Sequence, residues 1–123
     1  MKLKIDPSKK ISSIKEEFNA AFPFLRLEFF NRHHKINALS SKKDMITKDA
    51  PLNELKHIKH NHIIEITEEM QVQVLEQLFQ KEFGIATQVF RKSGKSWLET
   101  SVTDDWTLKR QNEEGMELSR ING

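Results

Sequence analysis

The chain has no cysteine. That excludes disulfides, thiolate zinc sites, iron–sulfur clusters and thiol nucleophiles. Glycine is scarce, with four in 123 residues, so phosphate cradles and oxyanion holes built from glycine-rich backbone are not expected. The pair Gly94-Lys95 lacks the upstream glycine that a phosphate-binding loop requires. A nucleophile elbow is also missing. No apolar run approaches the roughly 20 residues that a membrane-spanning helix needs. The first residues read as a lysine-rich strand rather than the apolar core of a signal segment. The expectation is one cytoplasmic domain with no cofactor.

Net charge is +2, too small to imply a nucleic-acid partner by itself. Its distribution is less even. Residues 1–62 hold 13 Lys and Arg against 7 Asp and Glu, and residues 63–123 hold 7 against 11. Two halves of opposite sign can attract each other across a dimer interface, although solvated surfaces drift in charge without consequence for fold.

An internal repeat is present. Shifting residues 2–30 by 61 positions sets Leu3 on Ile64, Ile5 on Ile66, Ile11 on Val72 and Ile14 on Leu75. Phe18 then meets Phe79, and Phe22 meets Phe83. Each copy opens with an alternating strand and continues as a helix with one apolar stripe. Pro23 stops the first helix and Gly84 the second. Asp6, Ser8 or Ser13 with Glu16 would cap the first, and Thr67 the second. Alternation resumes at Leu25, Leu27 and Phe29, and at Ile85, Thr87 and Val89.

Past the helices the copies match with a one-residue slip. Asn31–Lys35 lies against Arg91–Lys95, with Ser93-Gly94 as a tight turn. Ile36–Leu39 and Ser96–Thr100 would be returning strands. Short helices follow: one with Leu52, Leu55 and Ile58 inward, another from about Trp106 to a stop at Gly115, with 116–123 as a frayed tail. The lysine-rich stretch 40–44 reads as loop. The expected fold is α+β, a two-layer sandwich from a tandem β-α-β-β-α duplication. It is ferredoxin-like, with both long helices on one face of a mixed sheet. The halves are about 1–59 and 60–115.

The run F-x-x-x-F-G, V-F, W-L-E-T and T-D-D-W-T-L, over residues 79–112, resembles a group of small uncharacterised bacterial proteins. The resemblance implies no activity, cofactor or site.

Candidate chemistry is sparse. His57, His60 and His62 have a usable metal spacing, but no carboxylate has an obvious place to complete the site. They and His33-His34 read as solvated side chains, and no metal is expected. Asp104 and Asp105, with Glu99 upstream, would suit acid–base work, yet one acid is needed as a helix cap. The stronger feature is the pair of basic hairpin tips: Arg32 and Lys35 on one, Arg91, Lys92 and Lys95 on the other. Together they would hold a phosphate backbone, with Phe30, Phe90 or Trp97 stacking bases. An exposed Trp97 or Trp106 would equally anchor a protein partner. The leading expectation is a non-enzymatic protein-interaction or oligomerisation domain, with a homodimer among the options. Nucleic-acid binding comes second, and a small enzyme using Asp104, Asp105 or Glu99 third.

Overall fold

A computed structural model describes residues 1–31, 42–55, 58 and 60–122. The elements are β1 (Lys2–Ile5), α1 (Ile11–Ala21), β2 (Leu25–Phe30), a 3-10 turn (Lys42–Asp44), α2 (Leu52–Leu55), β3 (His62–Glu65), α3 (Val72–Phe83), β4 (Ala86–Ser93), β5 (Ser96–Glu99) and α4 (Leu108–Asn122). Among the described residues the fold is α+β, with four α-helices and two antiparallel sheets, β1-β3 and β2-β4-β5. The returning strand expected at 36–39 lies outside the described residues.

The mixed sheet with parallel strands is corrected. Strands of one strand–helix–strand unit are not neighbours; each pairs antiparallel with its equivalent in the other half. Leu3 and Ile64, equivalent under the 61-residue shift, are also register partners. In the second sheet, where the slip applies, Glu28 and Gln88 are equivalent and again register partners. The preference for right-handed crossovers concerns parallel neighbours, so it does not bear on this pairing.

One core joins the halves. Ile11, Ile14 and Phe18 of α1, Val72, Leu75 and Phe79 of α3, and the inward residues Leu3, Ile5, Leu25, Leu27, Phe29, Ile64 and Val89 belong to it. Phe18, Phe29 and Phe79 are fully buried, each contributing about 1.5–3 kcal/mol by removal from water. Phe29 meets Phe79 edge to face, at 5.9 Å between ring centroids. On the other face of the three-stranded sheet, Phe30, Ala86 and Phe90 form a second cluster, with Met45 and Trp97 against it.

The helix starts differ from expectation. Neither α1 nor α3 has a side-chain cap from its own N-cap residue, Lys10 or Gln71. Backbone ties replace it. Ile11 N–H donates to Ala50 O, Leu52 N–H to Lys9 O and Asn53 N–H to Pro7 O. In the second half Val72 N–H donates to Trp106 O, Leu108 N–H to Met70 O and Lys109 N–H to Glu68 O. The orphan amides of a helix start are thus met by the segment that opens the next helix. Helix α4 begins at Leu108, with Thr107 Oγ1 accepting from Arg110 N–H at 3.1 Å. It runs past the expected stop at Gly115 to Asn122. Gly115 serves close approach instead: a Cβ there would sit 2.9 Å from Phe24 Cβ. The hairpin turn is Gly94-Lys95, between partners Ser93 and Ser96, with Gly94 at φ 61° supplying the left-handed residue that a two-residue turn needs.

Candidate functional site

Strand β2 alternates, so Arg26 and Glu28 point away from the main core. Glu28 is nonetheless buried. Its Oε1 accepts from Arg26 Nη2 at 2.9 Å, and its Oε2 lies 2.9 Å from Lys15 Nζ of α1. A buried carboxylate needs such partners, because desolvation disfavours its charge. The Arg26 guanidinium also lies over the Trp97 ring, 5.1 Å from its centroid. Asn19, one helical turn beyond Lys15, donates from Nδ2 to Leu25 O at 2.8 Å. Lys15, Glu16 and Asn19 of α1, Arg26 and Leu27 of β2 and Trp97 of β5 line a cleft of about 320 Å³.

The cations proposed for the hairpin tips divide. Arg91 is turned into the structure. Its Nη1 donates to Gln111 Oε1 at 2.9 Å, and its guanidinium lies 5.7 Å from the Trp106 ring centroid. Arg110 stacks on the same ring at 3.6 Å. Buried Gln111 donates onward to Thr103 O and Oγ1, so Arg91 and Trp106 belong to the seam that docks α4. Lys92 lies opposite Trp97 in register, and Lys95 is exposed in the turn. Arg32 and Lys35 lie outside the described residues, as do His33, His34 and His57. Phe30 and Phe90 are buried, which leaves Trp97, half-buried, as the stacking surface on that face.

The remaining candidates do not gather. Asp104 is buried and Asp105 exposed beside an open cleft of about 370 Å³ that Gln73 and Val102 also line. Glu99 Oε2 accepts from Ser101 Oγ at 3.4 Å. His60 is exposed, while His62 meets Phe83 edge-on at 5.0 Å. Among the described residues no three His, Cys, Asp or Glu side chains form a metal-binding group, and no helix is long and apolar enough to cross a membrane.

Lys15, Asn19 and Arg26 were not singled out from the sequence. The one available signal was Arg26 and Glu28 at spacing two in a strand whose alternate residues are all apolar.

The two edges of the β1-β3 sheet contrast. On β1, Lys2 and Lys4 are exposed, the usual protection of an edge. On β3, Ile63 is 67% exposed and lysine is absent from the strand. No described residue other than those of β1 pairs with β3.

No protein-family model, curated protein or solved structure matches this chain.

Proposed function

We propose that the protein is a non-enzymatic, cytoplasmic interaction domain that self-associates as a homodimer through the β3 edge that no described residue pairs. The observation that carries this reading is Ile63, 67% exposed on a strand with no lysine, proline or bulge to deter pairing. An antiparallel arrangement centred on Ile63 sets the two isoleucines together and places Glu65 of one copy beside Asn61 of the other. The β1-β3 sheet then becomes four-stranded. Sedimentation across a concentration series is expected to give a dimer, and Ile63→Lys a monomer with unchanged circular dichroism. A wild-type chain that stays monomeric at the highest concentration overturns the proposal.

The architecture fits a tandem duplication folded about a pseudo-two-fold axis into a two-layer, ferredoxin-like sandwich. Two observations support it: equivalent residues are register partners in both sheets, and the same three backbone ties recur at both helix starts. Such a domain presents a repeated surface suited to a two-fold partner.

Nucleic-acid binding is the second reading, favoured by Lys92 opposite Trp97 on one face with Arg26 over the same ring. It requires retention on single-stranded RNA that falls steeply with salt.

A further inference from the structure

We propose that the cleft lined by α1, β2 and Trp97 of β5 binds a planar aromatic monocarboxylate. Glu28 is buried and shared by two cations, Lys15 and Arg26. Lys15 and Arg26 are balanced in sum by buried Glu28 and by Glu16 at the cleft, so a ligand with one carboxylate is favoured by the donors that Lys15 and Arg26 turn to it rather than by a net charge. The Glu28 side chain also fixes both cations: its two oxygens hold one each at 2.9 Å. The cations are therefore ordered before any ligand arrives, which reduces the entropy cost of binding. Arg26 engages Glu28 through Nη2, and its Nε and Nη1 have no partner among the described residues. Those groups and the remaining Lys15 protons are donors for an incoming oxyanion. Glu16 is exposed on the rim. Water screens it, yet it disfavours a second negative charge on the ligand.

Shape sets the rest. The cleft, at about 320 Å³, is at the lower end of small-molecule sites, enough for one ring system and too small for a folded segment. The Trp97 indole offers a flat wall, and its contact with Arg26 holds it in place. Asn19 commits its Nδ2 protons to Pro23 O and Leu25 O. Its Oδ1 has no partner among the described residues and can accept from a hydroxyl or amine on the ring. The site lies on the three-stranded sheet, apart from the β3 edge, and does not depend on self-association.

The test is titration of the full chain with 4-hydroxybenzoate, its neutral amide and inorganic phosphate, followed by the indole N–H signal of Trp97 in proton–nitrogen correlation spectra. The acid is expected to saturate with a Kd on the order of 0.1–1 mM, and the amide to bind at least about tenfold more weakly. Arg26→Gln is expected to weaken the acid by about tenfold or more, since a charge-assisted hydrogen bond is lost, with the signals of the β1-β3 sheet unchanged as the check on folding. For the Trp97 variants, which lack that indole, the backbone N–H signals of Lys15, Asn19 and Arg26 are followed instead: Trp97→Phe, which keeps a ring, is expected to stay within about threefold, whereas Trp97→Ala abolishes saturation. Failure of the acid to saturate overturns the proposal. So does equal binding of acid and amide, or an unchanged affinity in Arg26→Gln. Phosphate binding as tightly as the aromatic acid removes the role of the ring and overturns it too.

Discussion

At the start of α1, the carboxylate of Asp49 accepts from Ser12 N–H at 3.1 Å and from its hydroxyl at 2.9 Å. At the equivalent place on α3, the backbone carbonyl of Asp104 accepts from Gln73 N–H at 2.8 Å. The same position is thus held by a charge in one half and by a peptide dipole in the other. The helix ends differ likewise: α1 closes at Phe22 ahead of Pro23, while α3 closes on left-handed Gly84 at φ 65°. Past the strands the contrast widens. Among the described residues, α2 of the first half has four residues, and α4 of the second has fifteen and packs on β4. Shared backbone ties with different side-chain devices indicate that the ties carry the architecture, while the devices are free to vary.

The sharpest way to probe that equivalence is to empty matched core positions. Phe18 and Phe79 are equivalent and both fully buried. Phe79→Ala and Phe18→Ala should each cost about 3–5 kcal/mol in urea unfolding. Phe79→Ala should cost the more, because Phe79 touches the rings of both Phe29 and Phe83. Equal costs, or a larger cost at Phe18, would show that the edge-to-face contact adds little.

Next in size is the stretch of α4 that runs beyond the length of its counterpart α2. Gly115→Ala gains about 1 kcal/mol of helix propensity. The new methyl, however, meets Phe24 Cβ at 2.9 Å and its carbonyl oxygen at 3.1 Å. Overpacking of this kind costs about 1–3 kcal/mol, so a net loss of stability is expected, with Trp106 fluorescence reporting the loosened seam. A stabilised variant would mean that α4 does not pack on Phe24 as described.

The smallest effect concerns Asp49. Hydrogen bonds from the Ser12 backbone and hydroxyl hold its carboxyl below the ordinary value of 3.8. A lowered folded-state pKa means stability that is present above the unfolded value and lost as pH falls through the folded one. Asp49→Asn should therefore lower the melting temperature slightly at neutral pH, with the difference from wild type closing as pH drops below 3.8. The same substitution at Asp104, whose carbonyl forms the contact, leaves that hydrogen bond in place. A difference for Asp49→Asn that persists in strong acid would assign its role to shape rather than charge.

Much of this was legible in the residues. The stripes of α1 and α3, the alternation of β1 to β4 and the stops at Pro23 and Gly84 are local signals, and they set the elements. Pairing was not legible, because strand partners depend on contacts some sixty residues apart and alternation is the same for parallel and antiparallel neighbours. Gly115 misled for a physical reason: glycine after a helical run signals a C-cap, but here it makes room for Phe24. Arg91 read as a hairpin-tip cation, yet its place is fixed by Gln111 and Trp106, which no local pattern ties to it. The cleft was hidden because its residues come from α1, β2 and β5.

The register of the sheets bears on how the chain is made. Among the described residues, β1 pairs with β3, and β2 pairs along its length with β4 and at Phe30 with Met45, while Phe24 N–H finds the Asn112 side chain 88 residues later. A growing chain that has released β1, α1 and β2 holds helix-forming sequence but two strands without partners. The edges that meet β3 and β4 stay open until residues 62–93 follow. Synthesis therefore passes through a stage in which the first half is vulnerable to pairing with any other strand, another copy's included.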